Sequence, residues 1–356
     1  MLKPAYKLTY GRSAGSSSGL TGAVSNVTGG VLGGGSQIID TTDEPQASTV
    51  VELTVRLDKD APADSFTLVM GQVGSFRPDK DGELTIELGY DSDDVLTQVM
   101  TGDIISVEPG LTTSRVIGHS AALKLLRSFS NKTYENKTAA QIIRDLADQS
   151  GVSVAKADNG ITFPAYVVDG RRNHYQHIRH LADLSGLDLY INAEGKLVME
   201  KFSNGNTIHT LEYGKHVIEL ESLQSDLLAG KVEAFGESPG GGRAEGAWAW
   251  LTKDFSGNKG TAGSGEPTLL LERPVLRTAA AAKTAAQAAS TRLQQRTIRG
   301  RLLIQGRPQI KLGDAIRLRG VPEEPLNGEF QVRSLIHHIS KTGGFTTTIN
   351  FQGKGN

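Results

Sequence analysis

The side chains best able to do chemistry fall into a few local groups. Gly11-Arg-Ser13-Ala-Gly15 has the spacing of a nucleophile elbow, in which a serine sits on a sharp turn between a strand and a helix N-terminus. The next residues, Ser16-Ser17-Ser18-Gly19, do not start a helix, so the match is assigned to a Gly/Ser-rich loop. Gly260-Thr-Ala-Gly-Ser-Gly265 has the glycine spacing of a phosphate loop, but Glu266 and Pro267 follow where Lys and Ser/Thr are required. A carboxylate there repels phosphate. His174, His177 and His180 recur every third residue, and His177 could share a helix face with either neighbour to hold a metal. No HExxH pattern accompanies them, and the preferred reading is a solvated polar face. His337 and His338 are consecutive on a strand pattern, so they point to opposite sides and cannot chelate together. Trp248 and Trp250 share one side of any extended segment, which suits either a contact with a partner subunit or the anchoring of their own loop. The sequons at Asn26, Asn131 and Asn136 carry meaning only in a secreted chain. No catalytic, cofactor-binding or metal-ligating residue is assigned.

Composition narrows the classes further. The 356 residues are long for one core and suggest two or three domains. With 38 basic and 39 acidic side chains, the formal charge of −1 offers no electrostatic case for nucleic acid or an acidic lipid surface. The absence of cysteine excludes disulfides, thiolate metal sites and a cysteine nucleophile. Met1-Leu2-Lys3-Pro4 has no apolar h-region, so no signal peptide is expected and assembly is placed in the cytoplasm. The longest uncharged stretch, Ser13 to Ile39, is mostly Gly, Ser and Thr, too polar for a membrane helix.

The elements that must position these residues are mainly strands. Val51-Glu52-Leu53-Thr54-Val55-Arg56-Leu57-Asp58 alternates without a break, the period of a half-buried strand. Gly82 to Gly89 repeats the pattern with Leu84, Ile86 and Leu88 inward. Further strands are expected at 66–70, 103–108 and 112–118, making a compact antiparallel β domain with a Gly/Ser-rich insertion at 11–36. The period changes at Thr138-Ala-Ala-Gln141, a capping-box pattern that opens a helix stopped near Gly151. Asn173 and Gln176 offer a second box, with Gly186 as the stop. Ile143-Arg-Asp-Leu-Ala-Asp-Gln-Ser-Gly151 and Ile178-Arg-His-Leu-Ala-Asp-Leu-Ser-Gly186 match in words, so two helix–strand units form a small α+β insert.

After residue 204 the β pattern returns, at 215–221, 230–236, 268–272, 301–305, 314–319, 329–336 and 345–351. An alanine-rich helix from Ala279 to Arg299, ended by Gly300, interrupts it. The two β regions are alike. Gly82-Glu, Gly102-Asp and Thr112-Thr open three strands early, and Gly313-Asp, Gly328-Glu and Thr346-Thr open three late. The reading is mainly β (α+β): a first tube-like barrel at 1–130, an insert at 131–203 and a second barrel at 204–356.

Asp40-Thr-Thr-Asp-Glu-Pro-Gln-Ala-Ser-Thr-Val-Val-Glu-Leu, Gly118-His-Ser-Ala-Ala-Leu-Lys-Leu-Leu126, Phe163-Pro-Ala-Tyr-Val-Val-Asp169, Phe235-Gly-Glu-Ser-Pro239 and Trp250-Leu-Thr-Lys-Asp-Phe255 form a collinear set. It resembles the late control D family of phage tail proteins, which includes baseplate hubs of contractile phages and the N-terminal part of VgrG-type spikes. The resemblance covers nearly the whole chain apart from 11–36. It implies two tube-like barrels flanking a small insert, a homotrimer, and a non-enzymatic structural role. The partners it implies are an inner tube protein, a spike protein and other baseplate subunits, with no nucleic acid and no direct membrane span. It further implies a separate spike, since no needle repeat follows the last strand.

A hub of this kind would be held closed by large obligate interfaces, of roughly 2,000 Å² or more, with exposed edge strands paired between copies. The edges chosen are those near 50–58 and 329–336. The interface residues assigned are Trp248, Trp250, Val51, Leu53, Val55, Phe330 and Val332. The competing functions are an inner tube subunit, which carries one barrel per chain, a tail-associated cell-wall hydrolase, and a glycan-binding protein.

Overall fold

The computed structural model describes residues 3–12, 37–42, 49–72, 76–201, 207–236 and 259–354. Seven strands come first: β1 (Pro4–Arg12), β2 (Gln37–Asp40), β3 (Val50–Asp58), β4 (Ser65–Gly71), β5 (Gly82–Tyr90), β6 (Thr97–Pro109) and β7 (Thr113–His119). A mixed segment follows: α1 (Ala122–Arg127), β8 (Lys132–Thr138), α2 (Ala139–Gln149), β9 (Val154–Ala157), β10 (Thr162–Val168), α3 (His174–Ser185), β11 (Asp188–Ile191) and β12 (Leu197–Glu200). The remainder is β13 (Ile208–Glu212), β14 (Val217–Gln224), β15 (Lys231–Phe235), β16 (Gly260–Gly263), β17 (Thr268–Glu272), α4 (Ala279–Gln294), β18 (Ile298–Gln305), β19 (Ala315–Arg319), β20 (Glu329–Ser340) and β21 (Gly344–Gly353).

The molecule is mainly β, as expected. Its two β regions are fused into one 13-stranded sheet along the path β14-β18-β21-β20-β3-β4-β7-β6-β5-β1-β2, with β19 and β13 branching from β20. Among the described residues this path does not close into a barrel; it ends at β14 and β2. One hydrophobic cluster runs under both regions, from Leu8, Leu53 and Phe66 to Leu302, Phe330 and Phe351.

Within that sheet a five-strand unit occurs twice. Strands β3-β4-β7-β6-β5 pair antiparallel in that order, and β14-β18-β21-β20-β19 pair antiparallel in the same order. Irregularities repeat as well. Val51 is bulged out of β3 as Ile218 is out of β14, and Ile105 out of β6 as Arg333 is out of β20. A bulge adds one residue to one strand and re-aims the side chains beyond it, so four matching bulges mark equivalent geometry. The strands opened by Gly82, Gly102 and Thr112 correspond to those opened by Gly313, Gly328 and Thr346, the order legible in the sequence. The flanking strands differ: β1 runs antiparallel to β5, whereas β13 enters from the insert and runs parallel to β19.

A second cluster is built on the helices. Thr138 and Asn173 each accept the N3 backbone N–H, and Gln141 and Gln176 return the bond, so both expected capping boxes are present. Gly186 ends α3 at φ 69°, a left-handed conformation that glycine adopts without strain. Ile142, Ile143 and Leu146 of α2 pack with Ile178 and Leu181 of α3. This core also takes in Val232, Ala234, Ala262 and the α4 face Ala281, Ala282, Ala285 and Ala286. Hence β15–β17 and α4, although they lie between β14 and β18 in the chain, pack with the α/β cluster rather than the large sheet.

One boundary is corrected. The expected helix 279–299 ends at Gln294, and Gly300 lies inside β18 rather than at a helix stop. Ile298, Leu302 and Ile304 face the sheet core at period 2, and pairing with β14 and β21 on both sides outweighs any helical preference there.

Candidate assembly site

The two five-strand units meet where β20 pairs with β3, from Ser334↔Asp58 to Ser340↔Glu52. Both strands were expected to be open edges. Instead β3 lies between β20 and β4, and β20 between β3 and β21, so the two edges are used on each other inside one chain. Leu53, Val55, Phe330 and Val332 are buried in the shared core, while the bulged Val51 is exposed. Trp248 and Trp250 lie outside the described residues.

A chain of ion pairs clamps the seam onto the α/β cluster. Lys59, just after β3 and only 1% exposed, sits 2.9 Å from Asp188 at the start of β11. Arg333, the bulged residue of β20, reaches both Asp188 and Asp60. Arg179 of α3 joins Asp60 to Asp183, and Arg292 of α4 joins Asp183 at 2.9 Å. Burial alone would raise the Asp188 carboxyl, but Lys59 and Arg333 hold it below the usual carboxylate range. Burial pulls the Lys59 ammonium down against the pull of Asp188. Carboxylates saturated by cations in this way are poor proton donors, and the arrangement works as a strut between five elements rather than as acid–base machinery.

Below the seam lies a cavity of about 290 Å³ between the sheet and the α/β cluster, lined in part by Tyr190, Glu200, Asp314 and His337. Its polar groups are largely matched to one another. Tyr190 donates to Glu200 at 2.7 Å, Lys156 pairs with Glu200 at 2.8 Å, and His209 with Asp314 at 2.9 Å. His337 contacts Thr347 Oγ1 through Nδ1 at 3.0 Å, its Nε2 has no partner among the described residues, and burial pushes the imidazole down to about 4.

Of the three spaced histidines, His180 is half-buried, and the other two do not lie on a solvated face. His174 and His177 are each 2% exposed. His174 bridges Ser130 at 2.9 Å and Ser150 at 2.8 Å, and His177 joins Tyr166 to the Asp169 carbonyl. They tie α3 to its neighbours, a role that spacing alone does not reveal because a serine or carbonyl partner leaves no motif. Among the described residues no three His, Asp or Glu side chains gather as a metal site, and no helix is long and apolar enough to cross a membrane.

With this geometry in view, the family model described as the Alg8 N-terminal domain matches residues 45–341, most of the chain. The chain belongs to the Alg8 N-terminal domain family. Comparison with curated proteins finds no match. Among solved structures, the chain is similar to a tail protein from Neisseria meningitidis MC58, at TM-score 0.66 and 16% identity over 98% of this chain and 96% of that one. It is similar to a 43 kDa tail protein of a prophage from Shewanella oneidensis, at TM-score 0.63 and 16% identity over 88% and 94%. It is also similar to an E. coli type VI secretion component that itself exhibits structural similarity to bacteriophage T4 tail proteins, at TM-score 0.57 and 11% identity over 87% and 74%. At these identities the likeness is one of fold. These neighbours are tail and secretion-system proteins, and the feature of this chain that joins its two related units is the β3–β20 seam.

Proposed function

We propose that this chain is the structural baseplate hub of a phage-tail-like contractile machine, a homotrimeric adaptor between a hexameric inner tube and a trimeric spike. The observation that carries the reading is the duplicated five-strand unit, fused side by side through β20 and β3. Three such chains present six equivalent units to a sixfold tube and keep threefold symmetry toward a spike. The collinear resemblance to late control D proteins supports the same assignment, as does the fold shared with tail and secretion-system proteins. In this role the chain performs no reaction, and the ion-pair strut around Asp188 keeps tube-facing and α/β parts in fixed relation under load. The particle is assembled in the cytoplasm with tube, spike and further baseplate subunits as partners.

The test is the mass and image of the purified protein. Three chains forming a ring with six similar lobes is the expected result. Six chains per ring points to a tube subunit instead, and turnover of peptidoglycan would assign a hydrolase.

A further inference from the structure

The internal seam has a counterpart left open at each end of the duplication. In the second unit, the β20 edge that carries β19 continues past the Arg333 bulge and takes β3 at Ser334, Leu335 and Ile336. In the first unit, β6 is the equivalent strand and continues past the Ile105 bulge through Ser106, Val107 and Glu108 to Pro109. On its β5 side, however, pairing stops at Asp103, and the last described backbone bond runs from Asp81 N to Ile104 O. The strand equivalent to β3 is β14, which pairs with β18 alone among the described residues. Its sequence Val217-Ile-Glu-Leu220 repeats Val50-Val-Glu-Leu53 around the same bulge.

We infer that β14 of one copy pairs with the outer half of β6 of the next copy, repeating between chains the β3–β20 seam within each chain. This rests on the hub reading for the number of copies but not for the contact itself. The register comes from equivalence. Ile336↔Arg56 and Leu335↔Leu57 in the seam become Glu108↔Leu223 and Val107↔Gln224 between copies.

Three observations fit a second copy as the occupant. The first is continuity, since the contact reproduces an interface the chain already makes. The second is exposure: Ile218 and Leu223 stand 59% and 55% exposed on β14, and Leu111 is fully exposed just beyond β6. An uncovered edge with apolar side chains is otherwise an aggregation liability. The third is charge. Across the outer face the row would read Glu108, Leu223, Arg299, since Leu223 lies opposite Arg299. Glu108 and Arg299 are both exposed, so a carboxylate of one copy approaches the cation of the other.

The ladder is short. Gly110 N donates to Thr113 O on the β7 side, so by alternation Val107 and Pro109 face the open side. Pro109 offers a carbonyl there and no N–H, which ends the pairing. Because the two edges are different surfaces, the contact is head-to-tail, and it forms a ring where the rotation closes.

The chain has no cysteine, so engineered ones report cleanly. Glu108 and Leu223 would form a non-hydrogen-bonded pair, with Cα atoms about 4.5 Å apart, inside the disulfide range. Oxidised Glu108→Cys/Leu223→Cys protein should give a reducible ladder ending at three chains. The control Val95→Cys/Leu223→Cys, with Val95 exposed on the β5–β6 turn, should give none. Leu223→Glu should reduce assembly by setting two carboxylates face to face, and Glu108→Lys should restore it, with the melting of the single chain unchanged. Rings of normal mass that fail to cross-link would overturn this contact and leave the hub reading standing. A chain that stays single at every concentration overturns both.

Discussion

The ring of Phe351 covers Gly300, its cross-strand partner on β18, so closely that a Cβ on Gly300 would overlap it. In the other unit the same place is filled with the roles exchanged: Phe66 on β4 covers Gly118 on β7. One aromatic and one glycine complete the layer in either order, because a single ring fills the volume between the two strands.

Exchanging the pair should therefore cost less than either single change. Phe351→Ala should lose about 3–5 kcal/mol through the cavity it leaves, and Gly300→Ala about 1–3 kcal/mol through overpacking. The double variant Gly300→Phe/Phe351→Gly should unfold in denaturant well above the sum of Gly300→Phe and Phe351→Gly. Simple additivity would show that the two units are not equivalent at this layer.

The strut around Asp188 should fail from one side. Asp188→Ala leaves Lys59 buried without its carboxylate, and about 3–5 kcal/mol should be lost. Lys59→Met, which removes the buried charge and keeps the stem volume, should cost less, and Lys59→Met/Asp188→Asn less than Asp188→Ala. Urea unfolding of the four proteins orders them directly.

Asp64 should make stability fall as pH rises. Burial pushes its carboxyl up to about 7, against bonds from Asp58 N at 2.8 Å and Ser120 that favour the ion. The unfolded chain releases this proton near about 3.9. Between those values the folded state binds more protons, so the contribution of this group is largest below the lower one and is lost through the upper. Asp64→Asn keeps an acceptor for Asp58 N. It should melt above the parent at pH 8, with the gap closing toward pH 4; a gap independent of pH would count against the buried proton.

Replacing residues 13–36 by a short turn should leave the fold intact. The strands on either side, β1 and β2, are antiparallel neighbours with Tyr10 opposite Gln37, so their ends are already close, and the stretch has no core periodicity. An unchanged melting transition is expected; its collapse would mean that the insertion supplies core contacts.

Much of the architecture was legible in local pattern. Period 2 in 51–58 and 82–89, and the boxes at Thr138 and Asn173, became β3, β5, α2 and α3, because burial on one face and capping are decided within a few residues. The repeat was half visible, through Gly- and Thr-opened strands; the clearer signal, Val50-Val-Glu-Leu53 against Val217-Ile-Glu-Leu220, is short and interrupted by the insert. Strands such as β8 and β12 were missed because they lack alternation; β12 is buried on all four residues.

The sequence by itself determined that this is a β-rich chain without cysteine chemistry, carrying two related halves and a capped helical insert. Only the tertiary structure decided that β3 and β20 are partners rather than edges, that α4 belongs to the helical core, and that His174 and His177 are buried ties. The reason is that strand neighbours, ion-pair partners such as Lys59 and Asp188, and the companion of a buried imidazole are chosen by residues far away in the chain. A one-dimensional pattern records which face is apolar, not what covers it.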